Sequence, residues 1–248
     1  MDKHQILKQY FGHKTFREGQ EQLIDSLLSG RDALGIMPTG GGKSMCYQVP
    51  ALMLPGVTLV VSPLISLMKD QVMALKHAGI PAAYINSSLT PAQLSTVYQR
   101  LRAGAYKLVY VAPERLEADG FVSAAQSLDL SLLAVDEAHC ISQWGQDFRP
   151  SYRKIPDFLA KLPRRPVIGA FTATATEAVR RDISAQLGLR TPCTVVTGFD
   201  RPNLYFEVQS MTAAEKPAAL RALLAERRGK CGIVYCSTRS RGERVCSD

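Results

Sequence analysis

Three consecutive glycines, Gly40, Gly41 and Gly42, lead into Lys43 and Ser44. They lie between an apolar run, Ala33 to Met37, and a helix-compatible segment, Met45 to Met53. Strand, glycine turn and helix in that order form the setting of a phosphate-binding loop. Residues without a Cβ let the backbone curl and aim its N–H groups inward at phosphate oxygens. The helix that follows points its positive end at the same place. Thr39 belongs to this loop, Lys43 is expected to reach the β- and γ-phosphates of a nucleoside triphosphate, and the Ser44 hydroxyl to ligate Mg²⁺. Met37 stands where the usual pattern has its first glycine.

The rest of the chain supplies a scaffold of the right kind. Val57–Ser62, Ile80–Ile85, Lys107–Ala112, Leu130–Val135 and Pro166–Phe171 are short apolar runs. Such runs suit strands covered on both faces, and helix-compatible segments separate them. Two short helices are expected within residues 4–28, broken around Phe11–Thr15, and a third over Leu64–His77. Thr90 caps a helix from Pro91 through Leu101, with proline at its first position. Another helix is expected over Thr176–Leu187. Strands alternating with helices indicate an α/β domain with a mostly parallel sheet. A further strand–helix–strand pattern (Asn203–Val208, Ala213–Glu226, Cys231–Cys236) suggests that a second domain starts near Asp200. One such unit cannot close a core by itself.

Charge and cysteine usage narrow the class. The chain has 248 residues and a formal net charge of +8, which fits a polyanionic partner as well as ordinary solubility. Residues 201–248 are the more basic part per residue. The six cysteines include no C-x-x-C pair and no clustered histidine, so a structural zinc site has little support. Scattered thiols suggest a reducing compartment. No apolar run reaches membrane-spanning length, and a soluble intracellular protein is expected.

A second landmark gives the loop an acidic partner. Leu132–Val135 runs straight into Asp136-Glu137-Ala138-His139. The C-terminal end of a buried strand is where an α/β sheet presents residues to a ligand. Asp136 is placed to hold Mg²⁺ together with Ser44, and Glu137 to deprotonate an attacking water. A lone Asp-Glu pair after a strand is usually a solvated turn. Paired with the Lys43 loop, it makes hydrolysis the leading reading.

Around these two landmarks the motifs accumulate in order. Asp136–His139 with Cys140-Ile-Ser-Gln-Trp-Gly-Gln-Asp-Phe-Arg-Pro-Ser-Tyr152 resembles motif II and the aromatic-rich loop of RecQ-type DNA helicases. Phe16–Gln20 resembles that family's adenine-reading motif, Val61–Gln71 its motif Ia, and Tyr110–Arg115 its motif Ib. Phe171–Thr176 resembles motif III, Phe199–Asn203 the beginning of the second RecA-like domain, and Ile233–Arg239 motif IV.

The resemblance implies an ATP-dependent DNA helicase of superfamily 2, moving 3′ to 5′ in recombination and repair. Residues 1–200 would be the first RecA-like ATP-binding domain and residues 201–248 the start of a second. Lys43, Asp136, Glu137 and His139 would be catalytic, and His13, Arg17 and Gln20 would complete the ATP site. The family commonly carries a tyrosine at the position of His13. Ser62, Lys69, Arg115, Trp144, Phe148 and Arg149 would meet DNA, the aromatic rings by stacking on unpaired bases and the others at the backbone. Asp147 is expected to pair within its loop, and the Thr172–Thr176 hydroxyls to relay hydrolysis through His139. Single-stranded and partially duplex DNA are the expected partners, with no membrane and an undetermined oligomeric state. The compartment would be bacterial cytoplasm or a eukaryotic nucleus.

The arginine finger that such enzymes carry in motif VI, and their zinc and winged-helix regions, have no counterpart in these 248 residues. Arg201, Arg239 and Arg241 occur too early to serve as the finger. The chain is therefore expected to be a piece of a longer enzyme, binding ATP, hydrolysing it weakly and unwinding little. The alternatives are a DEAD/DEAH-box RNA helicase lobe and an ATP- and nucleic-acid-binding module with vestigial hydrolysis.

Overall fold

In the computed structural model, which describes residues 1–145, 147–198 and 204–247, the apolar runs do become strands. Helices α1 (Lys3–Phe11) and α2 (Gln20–Leu28) precede β1 (Ala33–Ile36). Then follow α3 (Met45–Met53), β2 (Val57–Val61), α4 (Ile65–His77), β3 (Ala82–Ile85), α5 (Pro91–Arg102) and β4 (Leu108–Val111). The series continues with α6 (Asp119–Gln126), β5 (Leu130–Val135), α7 (Lys154–Ala160), β6 (Val167–Thr172), α8 (Glu177–Gln186) and β7 (Cys193–Val196). The Thr90 cap is as expected, a reciprocal box with Gln93 at the start of α5. Helices α6 and α7 and strand β7 were not anticipated from the sequence.

All paired strands run parallel, in the order β3-β4-β2-β5-β6-β1-β7. Alternate residues of each strand feed two cores, because side chains point to opposite faces with a period of two. Leu133 and Val135 of β5 pack with Leu101, Phe121, Phe158 and Ile183 from the α5–α8 side. Leu132 and Ala134 pack with Leu23, Tyr47, Met68 and Val72 from the α2–α4 side. Burial on both faces is why these strands read as continuous apolar runs instead of alternating ones.

One buried carboxylate ties the far end of the sheet together. Asp32, 2% exposed, accepts from the Arg165 guanidinium at 2.6 and 3.1 Å. It also accepts from the backbone N–H groups of Ile168 at 2.9 Å and Arg190 at 2.7 Å. The starts of β1 and β6 and the turn before β7 are thereby held in register, opposite to the edge that carries the glycine loop.

The chain divides into two compact units, Met1–Phe199 and Asp200–Asp248. In the second, α9 (Lys216–Glu226) and α10 (Arg239–Ser247) form. The strands expected at 203–208 and 231–236 do not: among the described residues of this unit there is no strand. Tyr205 and Phe206 are 84% and 83% exposed, and Tyr235 is likewise bare. An apolar run becomes a strand only when a neighbour accepts its hydrogen bonds and covers its side chains. Phe199–Asn203, the expected beginning of a second domain, lies outside the described residues. Among the described residues no helix is long and apolar enough to cross a membrane.

Removing one partner of a buried, hydrogen-bonded ion pair typically costs about 3–5 kcal/mol. Asp32→Ala is therefore expected to lower the urea midpoint sharply. A shift equivalent to less than about 1 kcal/mol would show the Asp32 cluster to be no more than a surface pair.

Candidate active site

The glycine loop leaves β1 and turns at once. Gly40 and Gly42 have φ of +83° and +81°, a region that other L-residues adopt with difficulty. At Gly42 space is also closed, since a Cβ there would lie 2.4 Å from Gln20 Nε2. Met37 needs no such freedom. Its N–H donates to Thr172 O at 3.0 Å as a continuation of the sheet, and its side chain is buried against Cys46. The departure from the usual loop pattern is thus a core contact. The Lys43 ammonium donates to Met37 O at 3.1 Å, across the mouth of its own loop.

The segment before α2 clamps this loop. Gln20 Nε2 donates to Gly42 O at 3.0 Å and Gly41 O at 3.3 Å, while its Oε1 accepts from Arg17 N–H at 2.8 Å. Arg17 donates from its guanidinium to Gly40 O. The Gln20 amide was expected to face adenine; here both of its ends are engaged on protein. His13 and Thr39 are exposed at the rim. One cavity of about 660 Å³ is lined by His13, Arg17, Gln20, the loop residues Thr39, Gly40, Gly42, Lys43 and Ser44, and Asp136 and Glu137. Gln48 and Gln71 also line it and bond each other at 2.9 Å, and Gln48 reaches the buried Tyr110 hydroxyl. This pair, with Gln48 buried and Gln71 partly so, was not anticipated, and nothing in its spacing marks it.

Asp136 follows β5 directly, 8% exposed, with its N–H bonded to Val61 O. Burial, reinforced by the neighbouring Glu137 charge, pushes its carboxyl up to about 6, against the opposing pull of the Glu137 N–H and Lys43. The buried Tyr152 hydroxyl donates to Asp136 O at 2.8 Å. Glu137 has φ +47°, ψ +46°, a left-handed conformation rare for a side chain of its size. That turn lets the carboxylate come back toward the cavity. His139 Nδ1 lies 3.4 Å from Glu137 Oε2 and 2.7 Å from Thr172 Oγ1. The expected link from the 172–176 segment to His139 thus exists as a direct contact.

The polar loop beyond is a separate small structure. Trp144 is 78% exposed, so its ring takes no part in the core. Phe148 is half-buried under the Arg153 guanidinium, 5.5 Å from the ring centroid. Arg149 bonds Asp147 Oδ2 at 2.9 and 3.1 Å and also reaches Pro63 O, so Asp147 pairs within its loop as expected. That pairing holds the Asp147 carboxyl below its ordinary value. Gln146 lies outside the described residues. Burial pushes the Cys140 thiol up to about 12, leaving it a poor nucleophile.

Of the remaining residues expected at DNA, Lys69 and Arg115 are partly exposed, the latter donating to Asn86 O at 3.2 Å. Ser62 is buried, 1% exposed, with its N–H paired to Val111 O.

A parallel sheet carrying a glycine loop after β1 and a buried acid after β5 defines a RecA-like α/β nucleotide-binding domain. The family model described as DEAD/DEAH box helicase matches residues 17–182, and the chain belongs to that family. It is 49% identical over 241 residues to the ATP-dependent DNA helicase RecQ of Bacillus subtilis, covering 97% of this chain and 40% of that protein. It is 46% identical to the protein of the same name from Pasteurella multocida, covering 97% and 38%. The resemblance to RecQ-type helicases read from the motifs is thus borne out, and the chain spans about two fifths of the length of these relatives. The fold also matches the DUF1998 helicase MrfA, solved with DNA and AMPPNP, with a TM-score of 0.75 at 18% identity over 100% of this chain and 37% of that one.

The charge state of Asp136 yields a test that needs no nucleotide. A carboxyl whose folded value lies above its ordinary 3.8 favours folding when protonated, and that stability is lost as pH rises through about 6. Asp136→Asn is therefore expected to raise stability at pH 7.5 in EDTA by on the order of 1–3 kcal/mol, a few degrees in Tm. The gain should shrink toward zero as pH falls from 6 to 4. A gain that does not change with pH would refute the charge explanation.

Proposed function

We propose that residues 1–200 form the first RecA-like lobe of a RecQ-type, ATP-dependent DNA helicase, and that residues 201–248 begin the second. The observation that carries this reading is the single cavity that gathers the Gln20 segment, the glycine loop and the Asp136–Glu137 pair. The triphosphate lies along the loop N–H groups, with Lys43 at its β- and γ-phosphates. His13 and Arg17 flank the base end, and adenine competes for the Gln20 amide now spent on Gly41 and Gly42. The buried Asp136 carboxylate and the Ser44 hydroxyl are hard oxygen donors that fit Mg²⁺. When bound, the ion neutralises charge building on the transferred phosphate.

Glu137 takes the proton of the attacking water. His139, set between Glu137 and Thr172, orients that carboxylate and passes its state to the 172–176 segment. Trp144, standing free in solvent three residues beyond Ile141, offers an aromatic face for an unpaired base. Lys69 and Arg115 add sequence-independent backbone contacts, and Arg149 does so once released from Asp147. The substrate is single-stranded and partially duplex DNA, with 3′ to 5′ movement. The arginine finger belongs to the second lobe and contributes about 10³–10⁵-fold in related phosphoryl-transfer enzymes. ATP binding by residues 1–248 is accordingly expected to be stronger than their turnover suggests.

Turnover measured without nucleic acid, with single-stranded DNA and with single-stranded RNA tests this reading. Stimulation selective for DNA is expected, with Glu137→Gln retaining ATP binding while losing about 10²-fold or more in rate. Trp144→Ala should abolish DNA stimulation and leave DNA-free turnover within about twofold of the parent, as expected for a stacking contact worth about 1–3 kcal/mol per base. Equal stimulation by RNA would favour the RNA-helicase alternative. ATP binding without any rate above the Glu137→Gln level would favour a binding module.

A further inference from the structure

Cys140 is buried, and the reaction proposed above gives it no task. Its Sγ lies 3.8 Å from His139 Nε2 and 3.9 Å from Asp147 Oδ2, and the three ligand atoms all fall within 4.8 Å of one another. Among the described residues this is the one group of three His, Cys, Asp or Glu side chains with such spacing. We propose that His139, Cys140 and Asp147 form a zinc site bridging the acid-bearing turn to the Trp144 loop, and that occupancy arrests their relative motion.

Three features of the geometry support it. Tetrahedral zinc bonded to sulfur at ~2.3 Å and to nitrogen or oxygen at ~2.0–2.1 Å places those ligands ~3.5 Å apart. The two spacings to sulfur, 3.8 and 3.9 Å, need to close by only a few tenths of an ångström, and the His139–Asp147 spacing, within 4.8 Å, closes further by a turn of the exposed Asp147 side chain. The second nitrogen of His139 is already engaged: Nδ1 faces Thr172 Oγ1 at 2.7 Å and Glu137 Oε2 at 3.4 Å. That is the outer-sphere arrangement that fixes a ligating imidazole and leaves Nε2 to the metal. The backbone also draws the two segments together, with Arg149 N–H on Cys140 O at 2.9 Å. The sequence offers no C-x-x-C spacing because the third ligand returns through the loop.

The donor set selects the ion. Thiolate and imidazole favour zinc over magnesium, so the site is distinct in preference from the oxygen donors of the nucleotide cleft. Binding replaces the Cys140 thiol proton, which leaves to solvent. A fourth position stays open to water. The Arg149 guanidinium on Asp147 Oδ2 opposes the ion and must swing away or share the carboxylate. Occupancy is therefore weaker than at a four-ligand structural site. It also pins His139, which the reaction requires to respond to Thr172.

Cobalt(II) and zinc, titrated into metal-free protein carrying Cys231→Ser, Cys236→Ser and Cys246→Ser, provide the test. These replacements remove the thiols of the second unit. One ion per chain is expected, with the near-ultraviolet thiolate-to-cobalt band and intense visible bands of tetrahedral geometry. Zinc should displace cobalt while millimolar magnesium does not. The emission anisotropy of Trp144, the only tryptophan, should rise on occupancy. Cys140→Ser should abolish the thiolate band. Asp147→Asn, a change on an exposed loop that keeps the fold, should weaken binding at least tenfold. A cobalt complex without the thiolate band, or affinity unchanged in Asp147→Asn, overturns the site. The readouts are metal binding itself, so the outcome does not depend on whether the ATPase reading holds.

Discussion

Strand β6 lies between β1 and β5, and the chemistry of this domain depends on that placement. Neighbouring strands are about 4.8 Å apart, so the residues leaving β1 and β5 start roughly 10 Å from each other. That gap is wide enough for a phosphate chain and its metal, and it has a floor. Thr172, the last residue of β6, accepts from Met37 N–H on one side and meets His139 on the other. A shift of β6 is therefore felt both at the root of the glycine loop and at His139, behind Glu137. The Asp32 cluster holds the opposite end of β1, β6 and the turn to β7, which makes the three strands one lever.

The same edge carries the strain. A carboxyl held at 8% exposure and raised to about 6 is worse off here than in water, and Glu137 beside it occupies a backbone region that costs on the order of 1–3 kcal/mol. Neither feature improves folding. Both belong to the wall of the cavity, where an opposite charge beside Asp136 would reverse its penalty and where the turn at Glu137 brings that residue into the lining. The Tyr152 hydroxyl on Asp136 O anchors this arrangement from below. It also joins the acid to the chain segment that follows the Trp144 loop.

Much of the scaffold was legible because buried parallel strands announce themselves as apolar runs, and because Gly40–Ser44 admits few settings. What was missed had weaker local signals. Strand β7 is short and half-exposed, formed because β1 offers it an edge. The runs at 203–208 and 231–236 show the reverse: good strand composition without a partner to pair with. At the site, residue type and order sufficed to single out Lys43, Asp136 and Glu137, which the fold gathers at one cavity. They could not show that Ser62 is buried, or that Gln20 holds the loop carbonyls, because both depend on how separate elements pack.

The Gln20 clamp bears on how such a domain could distinguish its states. With its amide on Gly41 O and Gly42 O, and Arg17 on Gly40 O, the loop carbonyls are drawn toward the N-terminal segment. Carbonyls held on one side leave the N–H groups of the same peptides facing the other, where anionic oxygens belong. The clamp therefore preorganises the loop for phosphate before any base is recognised. A base that hydrogen-bonds Gln20 must draw on the same donors. Recognition of the base and conformation of the loop are then one equilibrium, joined through a single buried amide.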